Sequence, residues 1–158
     1  MKEIIVYNKR MFDDLMLINN ISDDNVEDRS TIMFISITDT DKFDESRIPY
    51  FKSNHSNVLN LSFDDCENDG DPSPTQYIGT KSFSEEQAKE VYDFIKNNED
   101  KETFIIHCMA GISRSGGVGL FINDYFNQDY NVFMNKNPYV RPNAKVSRLL
   151  NNLHRNER

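Results

Sequence analysis

The residues best equipped for chemistry lie together, in the run His107-Cys108-Met109-Ala110-Gly111-Ile112-Ser113-Arg114-Ser115-Gly116. A short continuous apolar run, residues 103–106, leads in, and a helically spaced segment leads out. A strand-loop-helix junction turns backbone N–H groups inward and adds the positive end of a helix, which makes a cradle for an anion. Met109, Ala110, Gly111, Ile112 and Ser113 would supply those N–H groups, with Gly111 permitting the backbone angles that a tight loop needs. The field favours the thiolate of Cys108, the form that attacks as a nucleophile. Arg114 offers a planar fork that fits two oxygens of a phosphoryl group. Other loop chemistries fail on spacing. Gly111 and Gly116 stand as in a nucleotide-binding loop, but Gly117 occupies the place of the required Lys. Gly111-Ile112-Ser113-Arg114-Ser115 lacks the closing Gly of a hydrolase elbow.

The elements that must position this loop are legible in outline. Residues 3–7, 31–37, 58–63 and 103–106 read as strands, the last buried on both faces. Residues 10–19 carry Met11, Phe12, Leu15 and Ile18 at helical spacing. Ser84-Glu85-Glu86-Gln87 is a capping box, and the helix behind it runs to about Asn97. Residues 114–127 form a further helix, Pro138 and Pro142 bracket a turn, and Val146, Leu149, Leu150 and Leu153 mark a last helix. Residues 19–30 read as a polar loop, 38–42 as a turn and 64–82 as a long loop of the kind that is often functional. Strands alternate with helices over 158 residues, so the expectation is a single α/β domain spanning 1–158. Its mostly parallel central sheet of about four or five strands would carry helices on both faces. Ligands in such sheets bind beyond the carboxyl ends of the strands, where Cys108 stands.

The pattern His107-Cys108-x-x-Gly111-x-x-Arg114-Ser115 resembles the signature of the protein tyrosine phosphatase superfamily. The short domain is similar to the dual-specificity branch over roughly residues 58–153, and Arg141-Pro142-Asn143 also resembles that branch, where a matching Asn braces the phosphate loop. The resemblance implies a two-step hydrolysis without a cofactor. Cys108 attacks phosphorus to give a phosphocysteine, Arg114 holds the oxygens, and Ser115 helps the thiolate leave when water attacks. It further implies that His107 orients and stabilises the thiolate from behind and that Asn143 supports the loop. A core imidazole satisfied by backbone fits His107 equally well.

A leaving alkoxide or phenoxide needs a proton, and the resemblance places the acid on an upstream loop. Asp65 is the choice there, with Asp64, Asp69 and Asp71 as rivals. Cys66, beside it, has two readings: a redox partner for Cys108, or a small, partly buried residue.

Bulk properties restrict the partners. Formal net charge is -8, and no Lys/Arg cluster is visible, which argues against nucleic acid. No apolar run approaches a signal peptide or a membrane span, and two cysteines make no disulfide framework, so a cytoplasmic protein with free thiols is expected. His55, His107 and His154 show no metal-ligand spacing to either Cys, and no metal site is expected. The variable loop positions Met109, Ala110, Ile112 and Ser113 include no basic residue, whereas phosphoinositide and RNA phosphatases of the superfamily that the chain resembles often carry Lys or His there, so the resemblance and the acidic body imply a phosphoprotein substrate. Phosphotyrosine comes first, with phosphoserine and phosphothreonine admitted by a shallow pocket. The alternatives are a phosphate-binding module with weak or lost catalysis, and an RNA or phosphoinositide phosphatase.

Overall fold

The computed structural model describes residues 1–41, 45–73 and 79–157. Part of the expected loop over 64–82 (residues 74–78) and Lys42 of the expected turn lie outside the described residues. Four strands, β1 (Glu3–Asn8), β2 (Ile32–Thr38), β3 (Val58–Ser62) and β4 (Thr103–Cys108), form one sheet in the order β1-β4-β2-β3. Every pairing is parallel, as the strand-helix alternation implied. Five helices accompany them: α1 (Lys9–Ile18), α2 (Glu85–Asn97), α3 (Arg114–Tyr125), α4 (Tyr130–Lys136) and α5 (Ala144–Asn156).

Side-chain alternation along the central strands divides the core in two. Phe104, Ile106 and Cys108 of β4 face one cluster together with Met33, Ile35 and Ile37 of β2. That face is covered by α2, α3, α4 and α5, through Val91, Ile95, Val118, Ile122, Phe133, Val146 and Leu150. Ile105 and Phe34 face the other cluster, which α1 closes with Phe12 and Met16 and the chain beyond with Phe51. The sheet is therefore covered on both faces, and β4 is buried on both, as its unbroken apolar run required. Among the described residues, no helix is long and apolar enough to cross a membrane.

Several boundaries differ from the sequence reading. β4 continues two residues past Ile106, so His107 and Cys108 lie on the strand and pair in register with Tyr7 and Asn8 of β1. Residues 19–30 are more ordered than a polar loop. Ile21 and Val26 are buried there, a 3-10 turn spans Val26–Asp28, and the buried Asn57 amide donates to the carbonyls of Val26 and Ile32. The short α4, capped by Asp129, went unread because Phe133 is the one residue in it that is fully buried.

Asparagine side chains bond outward backbone groups on both edges of the sheet. On β1, Asn137 accepts from the Val6 N–H and donates to the Ile4 carbonyl. On β3, Asn54 accepts from the Asn60 N–H, and His55 exchanges two backbone bonds with Val58.

Candidate active site

Cys108 ends β4 and is 2% exposed. Its Sγ lies 3.0 Å from Ser115 Oγ in the first turn of α3. Between them the chain makes its loop, and three loop carbonyls are bonded from outside. Lys9 N–H donates to Met109 O, Arg141 N–H to Ile112 O and Asn143 N–H to Ser113 O, at 3.3, 2.9 and 3.0 Å. In a trans peptide the N–H opposes the C=O, so those peptides turn the N–H groups of Ala110, Ser113 and Arg114 inward. Gly111 has φ 71°, and a Cβ there would come within 2.6 Å of Asn8 N, so the position needs glycine on both counts.

Helix α3 starts without the usual side-chain cap. The hydroxyl of Ser113, its N-cap residue, donates instead to Asp65 Oδ1 at 2.8 Å. The first N–H groups of the helix thus keep their positive field for the loop. The glycines that open α3 let it approach its neighbours closely, since a Cβ on Gly116 or Gly117 would meet Val140 or Val146 at 2.8 or 2.9 Å.

Arg114 is 6% exposed. Its Nη1 donates to Asp39 Oδ1 at 2.7 Å and to the Phe63 carbonyl at 2.8 Å, which fixes the plane of the guanidinium. Asp39 follows β2 directly and also faces Arg47, whose Nε lies 3.8 Å from Asp39 Oδ2. Sequence reasoning missed Asp39 and read it as part of a turn. The available signal was its place, an acid at the carboxyl end of a strand in a parallel sheet.

Asp65 is exposed and tied to the loop by two donors on one oxygen, Ser113 Oγ and Asn143 Nδ2 at 2.8 and 2.9 Å. Its rivals are engaged elsewhere. Asp64 is 1% exposed and accepts from Thr40 N, Thr40 Oγ1 and Lys81 N, which closes its own loop. Asp69 accepts from the backbone and hydroxyl of Ser82, and these two bonds hold its carboxyl below the usual carboxylate range. Asp71 accepts from Asn68 N. Asn143 caps α5 through Val146 N, so one side chain starts the helix and reaches Asp65. Its link to the phosphate loop runs through its backbone N–H rather than its amide.

His107 is fully buried, with Nε2 2.5 Å from Ser36 Oγ and its ring stacked on Phe12 at 4.2 Å between centroids. Burial pushes its pKa down to about 3, so the ring is neutral. Its contact with residue 108 is through the main chain, Nδ1 lying 3.4 Å from the Cys108 carbonyl. This is the place of a core imidazole that orients the strand end on which Cys108 stands. Cys66 is half-buried, and burial pushes its thiol up, which opposes a reactive thiolate there.

No family model and no curated protein sequence matches the chain. Solved structures of tyrosine phosphatases and of a phosphatase-like protein match it over most of its length. The human tyrosine phosphatase-like serine/threonine/tyrosine-interacting protein is 19% identical, with 84% of this chain and 82% of that one covered and a TM-score of 0.47. The Cydia pomonella PTP-2 phosphatase is 17% identical over 95% and 83%, with a TM-score of 0.49. Tk-PTP in its active form is 17% identical over 85% and 86%, with a TM-score of 0.45. Likenesses this distant say nothing about activity.

Proposed function

We propose that this protein is a cysteine-dependent phosphatase that hydrolyses phosphotyrosine, and also phosphoserine and phosphothreonine, in phosphoproteins. The observation that carries the reading is the pairing of Cys108 Sγ with Ser115 Oγ at the floor of an inward-facing N–H loop, beside an Arg114 locked in plane by Asp39. Phosphoryl transfer is catalysed mainly by position and by charge stabilisation, and this arrangement supplies both.

In the first step the Cys108 thiolate forms a bond to phosphorus, and the bond from phosphorus to the substrate oxygen breaks. Asp65 gives the leaving oxygen its proton. Arg114 and the loop N–H groups hold the non-bridging oxygens. In the second step Asp65 takes a proton from a water, the water oxygen bonds to phosphorus, and the S–P bond breaks. The Ser115 hydroxyl receives the returning thiolate with a hydrogen bond. A loop without basic variable residues and a net charge of -8 favour phosphoproteins over RNA or anionic lipid headgroups.

The deciding test is turnover of p-nitrophenyl phosphate without added metal, together with phosphopeptide binding. Turnover that vanishes in Cys108→Ser, resists chelators and is blocked by vanadate is the expected result. Phosphopeptide binding with no turnover by the intact protein would leave a phosphate-binding module instead.

A further inference from the structure

Beside the loop lies an open cavity of about 500 Å³ that the two-step reaction does not use. Tyr7 and Met11 line one side, Pro138 and Tyr139 the other, and Ala110 and Ile112 of the loop belong to its wall. Three of its large apolar side chains stay exposed, Met11 at 53%, Ile112 at 39% and Tyr139 at 79%. Exposed apolar surface gathered in one concavity marks a place where something binds. Among the described residues of its lining, Lys136 alone carries a formal charge, and it lies 3.3 Å from Glu3, so that lining is neutral as well as apolar.

The loop decides what this surface serves. Gly111 packs against the backbone of Tyr7 and Asn8, so the phosphate cradle and the cavity share a wall. Ala110 and Ile112 belong both to the phosphate loop and to the cavity wall, so the cavity adjoins the place where a bound phosphate would sit. We propose that the cavity is a specificity subsite that receives a large apolar side chain close in sequence to the phosphorylated residue of a protein substrate. This rests on the phosphatase reading of the loop. A peptide fits better than a lipid, because a body of charge -8 is repelled by an anionic bilayer surface.

The test measures binding and turnover separately. Phosphotyrosine octapeptides, with Leu or Phe scanned through the three positions on either side against an all-Ala reference, are titrated onto Cys108→Ser protein. At one position or more, the apolar residue is expected to tighten binding about tenfold. Adding Met11→Gln and Tyr139→Ser should return that peptide to the Ala level. In protein that retains Cys108, the same two changes should leave p-nitrophenyl phosphate turnover within about twofold, since neither residue belongs to the phosphate loop. Equal binding of all peptides, or a preference that survives both substitutions, overturns the subsite. So does binding of phosphoinositide vesicles that depends on Met11 and Tyr139, which would make the occupant an acyl chain. If the intact protein fails on p-nitrophenyl phosphate, the phosphatase reading falls, while the peptide preference still reports on the cavity.

Discussion

Asp64 and Asp65 are adjacent in the chain and opposite in situation, so they offer a direct test of the site. Asp65→Asn should lower the rate at least 10²-fold for alkyl phosphates and far less for p-nitrophenyl phosphate, whose leaving group needs no proton. An effect independent of the leaving group would remove Asp65 from the role of acid. Asp64→Asn should lower the melting temperature instead, because it leaves Thr40 and Lys81 donors short of a partner, while turnover per folded molecule stays near wild type. Ser115→Ala should slow breakdown of the phosphocysteine by about 10²-fold, visible as a burst of p-nitrophenol followed by a slow steady state. Cys108, Arg114 and Ser115 were legible in the sequence because they sit at fixed spacing in one loop. Asp39 and Ser36 were not, since each meets its partner across the sheet, 75 and 71 residues away, and only the β2–β4 pairing brings them there.

At the scale of elements, the loop depends on close approach. Gly111→Ala should destabilise the fold by about 1–3 kcal/mol, from strain at positive φ and from the clash with Tyr7 and Asn8, with the shift read from urea unfolding. An unchanged midpoint would mean that the loop relaxes without cost. Amphipathic helices were readable as such. Helix α2 shows its capping box, and α5 its Val146–Leu150 stripe. Helix α3 was found from Val118, Phe121 and Ile122, although it is buried nearly all round and has little sidedness. The order of the 19–30 segment was hidden because polar residues create it: Asn57 gathers carbonyls there, and His55 pairs with Asp23 at 2.8 Å.

For the whole molecule, the buried neutral His107 couples stability to pH. In the unfolded chain it takes a proton near pH 6.5, but in the fold only near pH 3. Between those values the unfolded state holds more protons, so its contribution to stability is complete above about 6.5 and is lost as pH falls toward 3. One proton corresponds to about 1.4 kcal/mol per pH unit at most. Urea midpoints measured from pH 7 to pH 4.5 should fall accordingly, and His107→Gln should flatten the slope. A slope untouched by that change would assign the acid loss to other groups. The same burial explains why this His was open to two readings in the sequence, where a His before a Cys says nothing of the Phe12 ring above it.

The asparagines at the two margins of the sheet have a consequence for how copies of the molecule meet one another. A parallel sheet that ended in bare backbone would offer a template to the next chain, and repeated pairing on it builds a fibre. Here Asn137 imitates the neighbour that β1 lacks, while Asn54 and His55 do the same for β3. Asn137→Ala would bare one N–H and one C=O on the strand that leads to the loop. At high protein concentration that variant should gain thioflavin-positive aggregates before it loses its far-ultraviolet helix signal. The amide of Asn137 covers one outward N–H and one outward C=O of β1, a task separate from any reaction the loop performs.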